Sequence, residues 1–257
     1  MNKRSSGRES HIFSIFYPNL TTMISQDPKK TEYEIVDPTI CHRITKILRL
    51  HTGESFILFD TELHTHCTII KAEKKLLINC QKPVSNKILT PHITVLLPLL
   101  KREAFEEAIY SVVELGANVI QPIITQKTHQ SWGNPKEYDR ILRIIHAAAE
   151  QSKQYAIPKL AENPIPFHQL GVMLAAIDAT IFFDPAGDRL IDIVKKIQYI
   201  ENIVLIVGPE GDLTEEEKAA LSTGETYFCQ LTPTILRAQQ AITVGLGSIR
   251  SLIPSKP

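Results

Sequence analysis

The chain has no long hydrophobic run and no recognisable secretory signal. Its longest apolar stretch, residues 93–100, is interrupted by Pro98 and is far shorter than the roughly 20 residues that cross a bilayer as a helix. The first ten residues, MNKRSSGRES, are polar and lack the apolar core of a signal peptide. These absences exclude a membrane-spanning helix and predict a cytoplasmic protein.

Charge of one sign is not in excess either. Lys and Arg together number 28, as do Asp and Glu, so the formal net charge is zero. Basic residues are in slight excess within residues 1–90 and acidic residues in the remainder, and zero net charge does not exclude nucleic-acid binding. Hydrophobic residues make up 43% and charged residues 22%, which is typical of a globular protein and excludes long disorder.

Several sequence motifs of well-known enzyme classes are also missing. The chain has no G-x-x-x-x-G-K-[ST] loop, no strand–G-x-G-x-x-G–helix and no G-x-S-x-G, which argues against P-loop nucleotidases, ordinary Rossmann dehydrogenases and α/β-hydrolases. It has no C-x-x-C, and its four scattered cysteines indicate reduced, buried thiols. His64, His66 and Cys67 lie close enough in sequence for a metal site, but no second cluster supports them, so no metal is predicted.

Residues 11–88 are predicted to form a small β domain, and residues 1–10 a flexible tail. The segments HIFSIFY, SFILFD, HTHCTII and KLLINC are short and rich in β-branched and aromatic residues, as strands are. One helix is predicted between them, with Asp37 as N-cap and Pro38 at its first position, ending near Gly53. Short strands with a single helix favour a small barrel or sandwich.

After a linker around Pro91, strands and helices alternate. The predicted strands are ITVLLPL, NVIQPII, TIFFD, IVLIVG and TYFCQL. Helices are expected over residues 103–115, 136–151, 188–200 and from about Ile235 onward. The first is predicted to end at Gly116 and to bury Phe105, Ala108, Ile109, Val112 and Val113; the second is predicted to bury Ile141, Leu142, Ile145, Ala148 and Ala149. This alternation predicts a parallel sheet covered by helices on both faces.

Three of the loops that follow these strands are candidates for a ligand site, because ligands of open α/β sheets bind at the carboxyl ends of the strands. They are DPAG (residues 184–187), GPEGDLTEEE after IVLIV, and TPTILR (residues 232–237). In the second loop Gly208 and Gly211 allow a ligand to approach the backbone, and the Glu210 carboxylate gains nothing from core packing. A plain strand–turn–helix connection, with Thr214 and Glu217 as a capping box, is the alternative.

Five segments, in this order and spacing, resemble a known family. They are KILRLHTGESFILFD (46–60), VELGANVIQP (113–122), AAAEQSKQYAIP (147–158), IVGPEG (206–211) and ILR (235–237). The family is that of bacterial small-subunit ribosomal RNA uridine N3-methyltransferases (RsmE), in the SPOUT superfamily. The resemblance implies an α/β fold: a small PUA- or OB-like β-barrel that binds RNA, followed in residues 91–257 by a parallel-sheet methyltransferase domain with a deep C-terminal trefoil knot.

The resemblance implies S-adenosylmethionine as cofactor, held mainly by backbone groups of the knotted loops. Asp184 and Pro185 are expected to border the pocket. The candidate cofactor-binding residues are Gly208, Glu210, Gly211, Leu231, Ile235 and Leu236. Core packing alone is an alternative explanation for the two leucines.

Arg237 is the candidate catalytic residue. Methyl transfer to N3 of uridine requires loss of the N3 proton, which leaves negative charge on the base oxygens. A planar, permanently charged guanidinium suits stabilisation of that charge. A solvent-exposed arginine without a catalytic role is the alternative reading.

The resemblance also implies small-subunit ribosomal RNA and a second copy of the chain as partners. Arg43, Lys46 and Arg49, on the helix before Gly53, and Lys101 are the candidate RNA-binding residues; a solvated helix face is the alternative for the first three. The homodimer is expected to form through the knot helices.

The chain departs from the family pattern at several positions. Asp212 replaces the last glycine of G-P-E-G-G. Thr232, Thr234, Ala238 and Gln239 stand where the family has glycine, arginine, threonine and glutamate. These departures keep two alternatives open: a non-catalytic or altered-specificity RNA-binding relative of the same fold, and an α/β enzyme of another class that does not bind S-adenosylmethionine.

Overall fold

The structure is a computed structural model that describes residues 12–222 and 225–253. The chain divides into two compact units, with the boundary between Asn86 and Lys87. This boundary falls inside the predicted linker. The predicted tail, residues 1–10, lies outside the described residues.

The first unit is built on a six-stranded sheet. In spatial order it runs β1-β3-β4-β5-β2, with β6 beside β4, and only β1 and β3 pair in parallel. Alternate side chains of β5 enter the core: Leu76, Ile78 and Cys80 are buried, as the two-residue period of a strand requires. The strands are β1 (Ser14–Phe16), β2 (Glu32–Ile35), β3 (Ser55–Phe59), β4 (Leu63–Ala72), β5 (Leu76–Cys80) and β6 (Val84–Ser85).

The helix predicted in this unit exists but is shorter than expected. The Asp37 carboxylate accepts hydrogen bonds from the backbone amides of Thr39 and Ile40, which confirms the N-cap. Helix α2 (Pro38–His42) continues as a π-helical turn to Ile47 and ends at Leu48. Its predicted extension to Gly53 is wrong, because Arg49 adopts φ +55°, a left-handed conformation that cannot continue a right-handed helix.

Three further elements of this unit were not predicted: α1 (Leu20–Gln26), β2 and β6. Only Leu20 and Ile24 of α1 are buried, so its sequence carries too short an apolar repeat to indicate a helix. All four cysteines of the chain are buried, unbridged thiols.

The second unit contains a seven-stranded sheet in which every pairing is parallel, which confirms the predicted sheet. The spatial order is β10-β8-β7-β12-β11-β13, and β9 also pairs with β8. The strands are β7 (His92–Pro98), β8 (Val119–Ile124), β9 (Lys159–Leu160), β10 (Ile165–Pro166), β11 (Ala179–Arg189), β12 (Asn202–Ile206) and β13 (Thr226–Gln230).

Among the described residues, five α-helices lie between these strands and a sixth follows β13, the last strand. The inward face predicted for α3 is buried throughout, and Gly116, at φ +75°, ends that helix. In α4, Leu142 is only half-buried, so its predicted place in the core is wrong. The helices are α3 (Arg102–Glu114), α4 (Pro135–Ser152), α5 (Leu170–Leu174), α6 (Leu190–Ile197), α7 (Glu215–Leu221) and α8 (Ala238–Leu252). Within the described ranges no helix has the length and apolarity needed to span a membrane.

Helices cover both faces of the parallel sheet. Phe182 of β11 joins a core cluster with residues of α5 and α7. Phe183 points to the opposite face, because successive side chains of a strand alternate. There its ring lies where a side chain at Gly245 of α8 would be. The missing side chain therefore allows α8 to lie directly on β11.

The contact between α8 and Phe183 leads to a stability prediction. We expect Gly245→Ala to lower the free energy of unfolding by about 1–3 kcal/mol, as overpacking of a core does. Gly247→Ala is the matched control in the same helix: its new methyl group would lie 3.4 Å from Leu115 Cδ2, an ordinary contact, and should be neutral or stabilising by up to about 1 kcal/mol. Urea unfolding measures both variants, and equal midpoints would contradict this packing.

Candidate active site

The first and third predicted loops line one cleft at the carboxyl edge of the parallel sheet. Of the residues predicted to hold or border a cofactor, Asp184, Pro185, Leu231 and Leu236 lie in its wall. The complete lining is Phe183, Asp184, Pro185, Cys229, Leu231, Thr232, Thr234, Leu236 and Ala241. Thus the structure brings together segments from the ends of β11 and β13 and the first turn of α8.

The DPAG segment is not a free loop as predicted. Strand β11 continues through it to Arg189, with a break in register between Phe183 and Asp188. The Asp184 carboxylate accepts a hydrogen bond from the Ala186 amide at 2.8 Å. At Gly187 a side chain would collide with the backbone of β13. This extension of the strand is why α6 begins at Leu190, later than predicted.

The second loop is a tight turn that brings Asp212 back to Gly208. The Asp212 amide donates to the Pro209 carbonyl at 2.9 Å, and a side chain at Gly208 would lie 2.6 Å from Asp212 Oδ1. Asp212 itself adopts φ +58°. Aspartate tolerates this left-handed conformation better than most side chains, so Asp212 can occupy the position where the family pattern has glycine.

Neighbouring strand ends anchor the same loop. Glu210 Oε1 accepts a hydrogen bond from the Lys101 amide at 3.1 Å, and Lys127 Nζ donates to the Gly211 carbonyl at 2.6 Å. Lys101 follows β7 and Lys127 follows β8. The exposed Glu210 side chain therefore already has a role in holding the loop, besides its predicted role in cofactor binding.

The predicted capping box at the start of α7 is confirmed. Thr214 Oγ1 accepts from the Glu217 amide at 3.2 Å, and Glu217 Oε2 accepts from the Thr214 amide at 2.9 Å. The buried Glu217 also accepts from the Gln126 amide through its second oxygen, at 2.8 Å. The end of the second loop is therefore fixed to both α7 and the segment after β8.

An ion-pair cluster that sequence analysis did not predict joins the first and second loops. Lys218 Nζ lies 2.7 Å from Asp184 Oδ2 and 2.7 Å from Asp212 Oδ2. Burial raises the pKa of Asp184, but hydrogen bonds from Lys218 and the Ala186 amide outweigh it, so the net pKa is lowered. For Lys218 burial lowers the pKa, and the two carboxylates more than compensate and raise it. Both groups are therefore charged at neutral pH.

In the third loop, the residues predicted to bind the cofactor and the residue predicted to be catalytic point in different directions. Leu236 faces the cleft, whereas Ile235 is 83% exposed and does not line it. Helix α8 begins at Ala238, later than the predicted Ile235, because Arg237 still has extended backbone angles as N-cap. The Arg237 side chain is exposed and makes no hydrogen bond or ion pair to any other described residue.

The first turn of α8 is tied to α3 through amide side chains. Gln239 Nε2 donates to Glu107 Oε2 at 3.5 Å, and Gln240 Nε2 donates to Glu107 Oε1 at 3.2 Å. Gln239 is buried. A glutamate at this position, as in the family pattern, would place a second carboxylate against Glu107.

The predicted RNA-binding residues occur in both units. Arg43 and Lys46 lie in the π-helical turn after α2, and Arg49 follows it; Lys46 and Arg49 are exposed and Arg43 is half-buried. Lys101, in the second unit, is exposed at the N-cap of α3. These positions are compatible with contact to phosphate groups, which sequence-independent RNA binding requires.

The structure places Cys67 on the opposite face of β4 from His64 and His66. Cys67 is buried in the core of the first unit, whereas His66, beside it on β4, is exposed. Adjacent residues of a strand point to opposite faces. Across the described part of the chain, no group of three or more His, Cys, Asp and Glu side chains is arranged to hold a metal.

Known proteins resemble this chain over most of its length. The family model for the RNA methyltransferase domain matches residues 88–250. The ribosomal RNA small subunit methyltransferase E of Synechocystis sp. is 30% identical over 224 residues, which cover 83% of this chain and 71% of the relative. Its counterpart of the same name in Mycobacterium bovis is 27% identical over 225 residues, covering 84% of this chain and 85% of the relative.

The fold is shared with a solved structure that carries the same name. The Neisseria gonorrhoeae ribosomal RNA small subunit methyltransferase E, crystallised with S-adenosyl methionine, superposes with a TM-score of 0.79. It is 20% identical, and the match covers 94% of this chain and 98% of that one. With the identity to the Synechocystis relative and the domain match, the chain belongs to the ribosomal RNA small subunit methyltransferase E family.

Proposed function

We propose that the protein transfers a methyl group from S-adenosylmethionine to N3 of one uridine in small-subunit ribosomal RNA, in the cytoplasm. The observation that carries this proposal is the cleft at the carboxyl edge of the parallel sheet, which Leu236 of the ILR motif lines together with Asp184 and Leu231. Family membership supplies the class of reaction, and the resemblance noted above supplies the uridine N3 specificity.

The residues of the cleft fit the cofactor. Leu231, Leu236 and Phe183 give apolar walls suited to an adenine ring, and Thr232 and the loop backbone offer polar groups beside them. Gly208, Glu210, Gly211 and Ile235 do not line this cleft, so we propose that they contribute through the backbone of the second and third loops. When bound, S-adenosylmethionine supplies an activated methyl group.

Arg237 is proposed to stabilise the deprotonated uridine. It directly follows Leu236, which lines the cleft, and its guanidinium is exposed and without a partner among the described residues. A free planar donor fork can take up the negative charge that develops on the base oxygens when N3 loses its proton.

The topology supports a deep trefoil knot in the C-terminal unit. Strand β12 inserts between β7 and β11, while β13 lies on the far side of β11. After β13 the chain turns back, and α8 packs against β11, β12 and α3. We propose that this return passes through the loop after β12, as in the SPOUT fold.

The first unit is proposed to be the barrel-like domain that docks ribosomal RNA through Arg43, Lys46 and Arg49. Lys101 would add a phosphate contact from the second unit. Such contacts fix the position of an RNA by charge and shape rather than by sequence.

Deletion of the gene tests the proposed reaction. We expect N3-methyluridine to disappear from one position of the small-subunit ribosomal RNA and to return when the wild-type gene is supplied on a plasmid. Nucleoside analysis by mass spectrometry, followed by mapping of the position, measures this. An unchanged content of N3-methyluridine in the deletion strain would refute the proposal.

Substitution of Arg237 tests its role. We expect Arg237→Ala to slow methyl transfer by roughly a hundredfold or more, as removal of one charge-stabilising donor does, while affinity for S-adenosylmethionine stays near the parental value. Arg237→Lys should recover little, because a point charge does not reproduce the planar fork. Arg143→Ala, at an exposed arginine of α4, is the control. The measurements are methyl incorporation into small ribosomal subunits and calorimetric titration of the cofactor.

Two outcomes would contradict the assignment of Arg237. Parental activity of Arg237→Ala would show that the residue is a surface arginine without a catalytic role. A parental protein that binds S-adenosylmethionine but methylates nothing would favour the non-catalytic RNA-binding alternative, with the departures at Thr234, Ala238 and Gln239 as its expected cause.

The exposed face of α8 is the proposed dimer interface. Val244 is 39% exposed and Leu252 43% exposed on this helix, and the small, half-buried Ser248 between them would allow a second helix to approach closely. We expect sedimentation velocity to give twice the 28.9 kDa of one chain, and Val244→Asp to shift the protein toward monomer, because it would bury a charge. A monomeric parental protein would contradict the interface.

A further inference from the structure

We propose that Lys218 is a positioning residue that locks the first and second loops together, and that cofactor affinity depends on this lock. The inference rests on the proposed function, because it concerns the same cleft. It adds a residue that lies outside the loops and in none of the segments that carry the family resemblance.

The geometry of the two carboxylates is that of a bridge. Asp184 and Asp212 each use Oδ1 to accept a backbone amide of their own loop, at 2.8 Å from Ala186 and at 2.8 Å from Leu213. Each uses Oδ2 for Lys218 Nζ, at 2.7 Å. One ammonium group is thus connected through two carboxylates to the backbone of both loops, and movement of either loop away from the other must break an ion pair.

Burial strengthens the Lys218–Asp184 ion pair of this bridge, whereas the Asp212 side chain is 48% exposed and water screens its ion pair with Lys218 more strongly. The Asp184 side chain is 8% exposed and that of Lys218 20%, so water screens their attraction far less than it would at the surface. The ammonium also lies 5.8 Å from the centre of the Phe182 ring, within range of a cation–π contact. Removing the lysine would leave a nearly buried carboxylate without its partner, which is costly.

The bridge gives a physical reason for the departure at Asp212. A glycine there would adopt φ +58° without strain but would have no side chain to reach Lys218. Aspartate accepts a less favourable backbone conformation and contributes the carboxylate that connects the second loop to Lys218. Aspartate at this position is therefore compatible with a functional loop whose position is fixed by the ion pair with Lys218.

Direct binding of RNA phosphate by Lys218 is a weaker explanation. Its ammonium is already engaged by two carboxylates, and a third anion would have to displace one of them. Asp184 lies in the wall of the cleft, so a shift of this carboxylate would change the cleft itself. Lys218 is therefore expected to act on the cofactor through the position of Asp184 and Asp212.

Substitution of Lys218 tests the lock. We expect Lys218→Met, which keeps an unbranched side chain of nearly the same length but removes the charge, to weaken S-adenosylmethionine binding roughly tenfold or more and to raise KM for the cofactor while kcat changes less. Lys218→Arg should restore most of the affinity, because it keeps the charge. Lys195→Met is the control: Lys195 pairs with Asp192 on the exposed surface of α6, at 3.3 Å, and its loss should change neither value.

Asp212→Gly tests the same lock from the other side. It removes one ion pair but relieves the left-handed backbone, so we expect a smaller loss of affinity than for Lys218→Met. Adding Lys218→Met to Asp212→Gly should cost less than Lys218→Met alone, because the two residues act through one bridge. If Lys218→Met does not fold, Asp212→Gly alone tests the lock, and an affinity equal to that of the parental protein would then overturn it.

The outcomes separate the lock from the proposed function. A parental protein that does not bind S-adenosylmethionine would overturn the proposed function, and the lock with it. A parental protein that binds the cofactor, together with a folded Lys218→Met of equal affinity, would overturn the lock alone. Loss of affinity that Lys218→Arg does not rescue would also overturn it, since charge would not be the cause.

Discussion

Strand β11 pairs in parallel with β12 on one side and with β13 on the other, and the placement of the candidate site follows from this arrangement. Because parallel strands end at the same edge, the segments after all three must lie near one another. Parallel strands need a long crossover to connect them, usually a helix, so α6, between β11 and β12, and α7, between β12 and β13, have to pack on the faces of the sheet. The close fit of α8 over Phe183 at Gly245 is part of the same constraint.

Sequence patterns predicted the elements whose structure is local or periodic. The apolar repeat of α3 and the caps at Asp37 and Thr214 depend on residues within one or two helical turns, and the structure confirms them. The early end of the helix at Arg49 and the continuation of β11 through DPAG were not predictable in this way. The first depends on the left-handed backbone of Arg49 and the second on pairing with β13, a strand distant in the sequence, and neither is encoded in an apolar repeat.

The same distinction applies to the candidate site. The three loops could be found in the sequence because each follows an apolar strand and carries an unusual set of residues. The contacts that hold the loops together could not be found in the sequence, because Lys218 lies 34 residues from Asp184 and Lys101 lies 109 residues from Glu210. Lys218 in particular stands in the exposed-looking run EEEK, which resembles any solvated first turn of a helix.

At two positions where the chain departs from the family pattern, the side chain makes a favourable contact in the structure. Asp212 has an ion pair with Lys218, which glycine could not form, and Gln239 donates to Glu107, where a glutamate would face a like charge. Judged one position at a time, each departure suggests a weakened site. Considered with its partner, Asp212 helps to hold the second loop, and Gln239 helps to hold α8 against α3. These two departures therefore argue for a site with rearranged contacts more than for one that has lost its function.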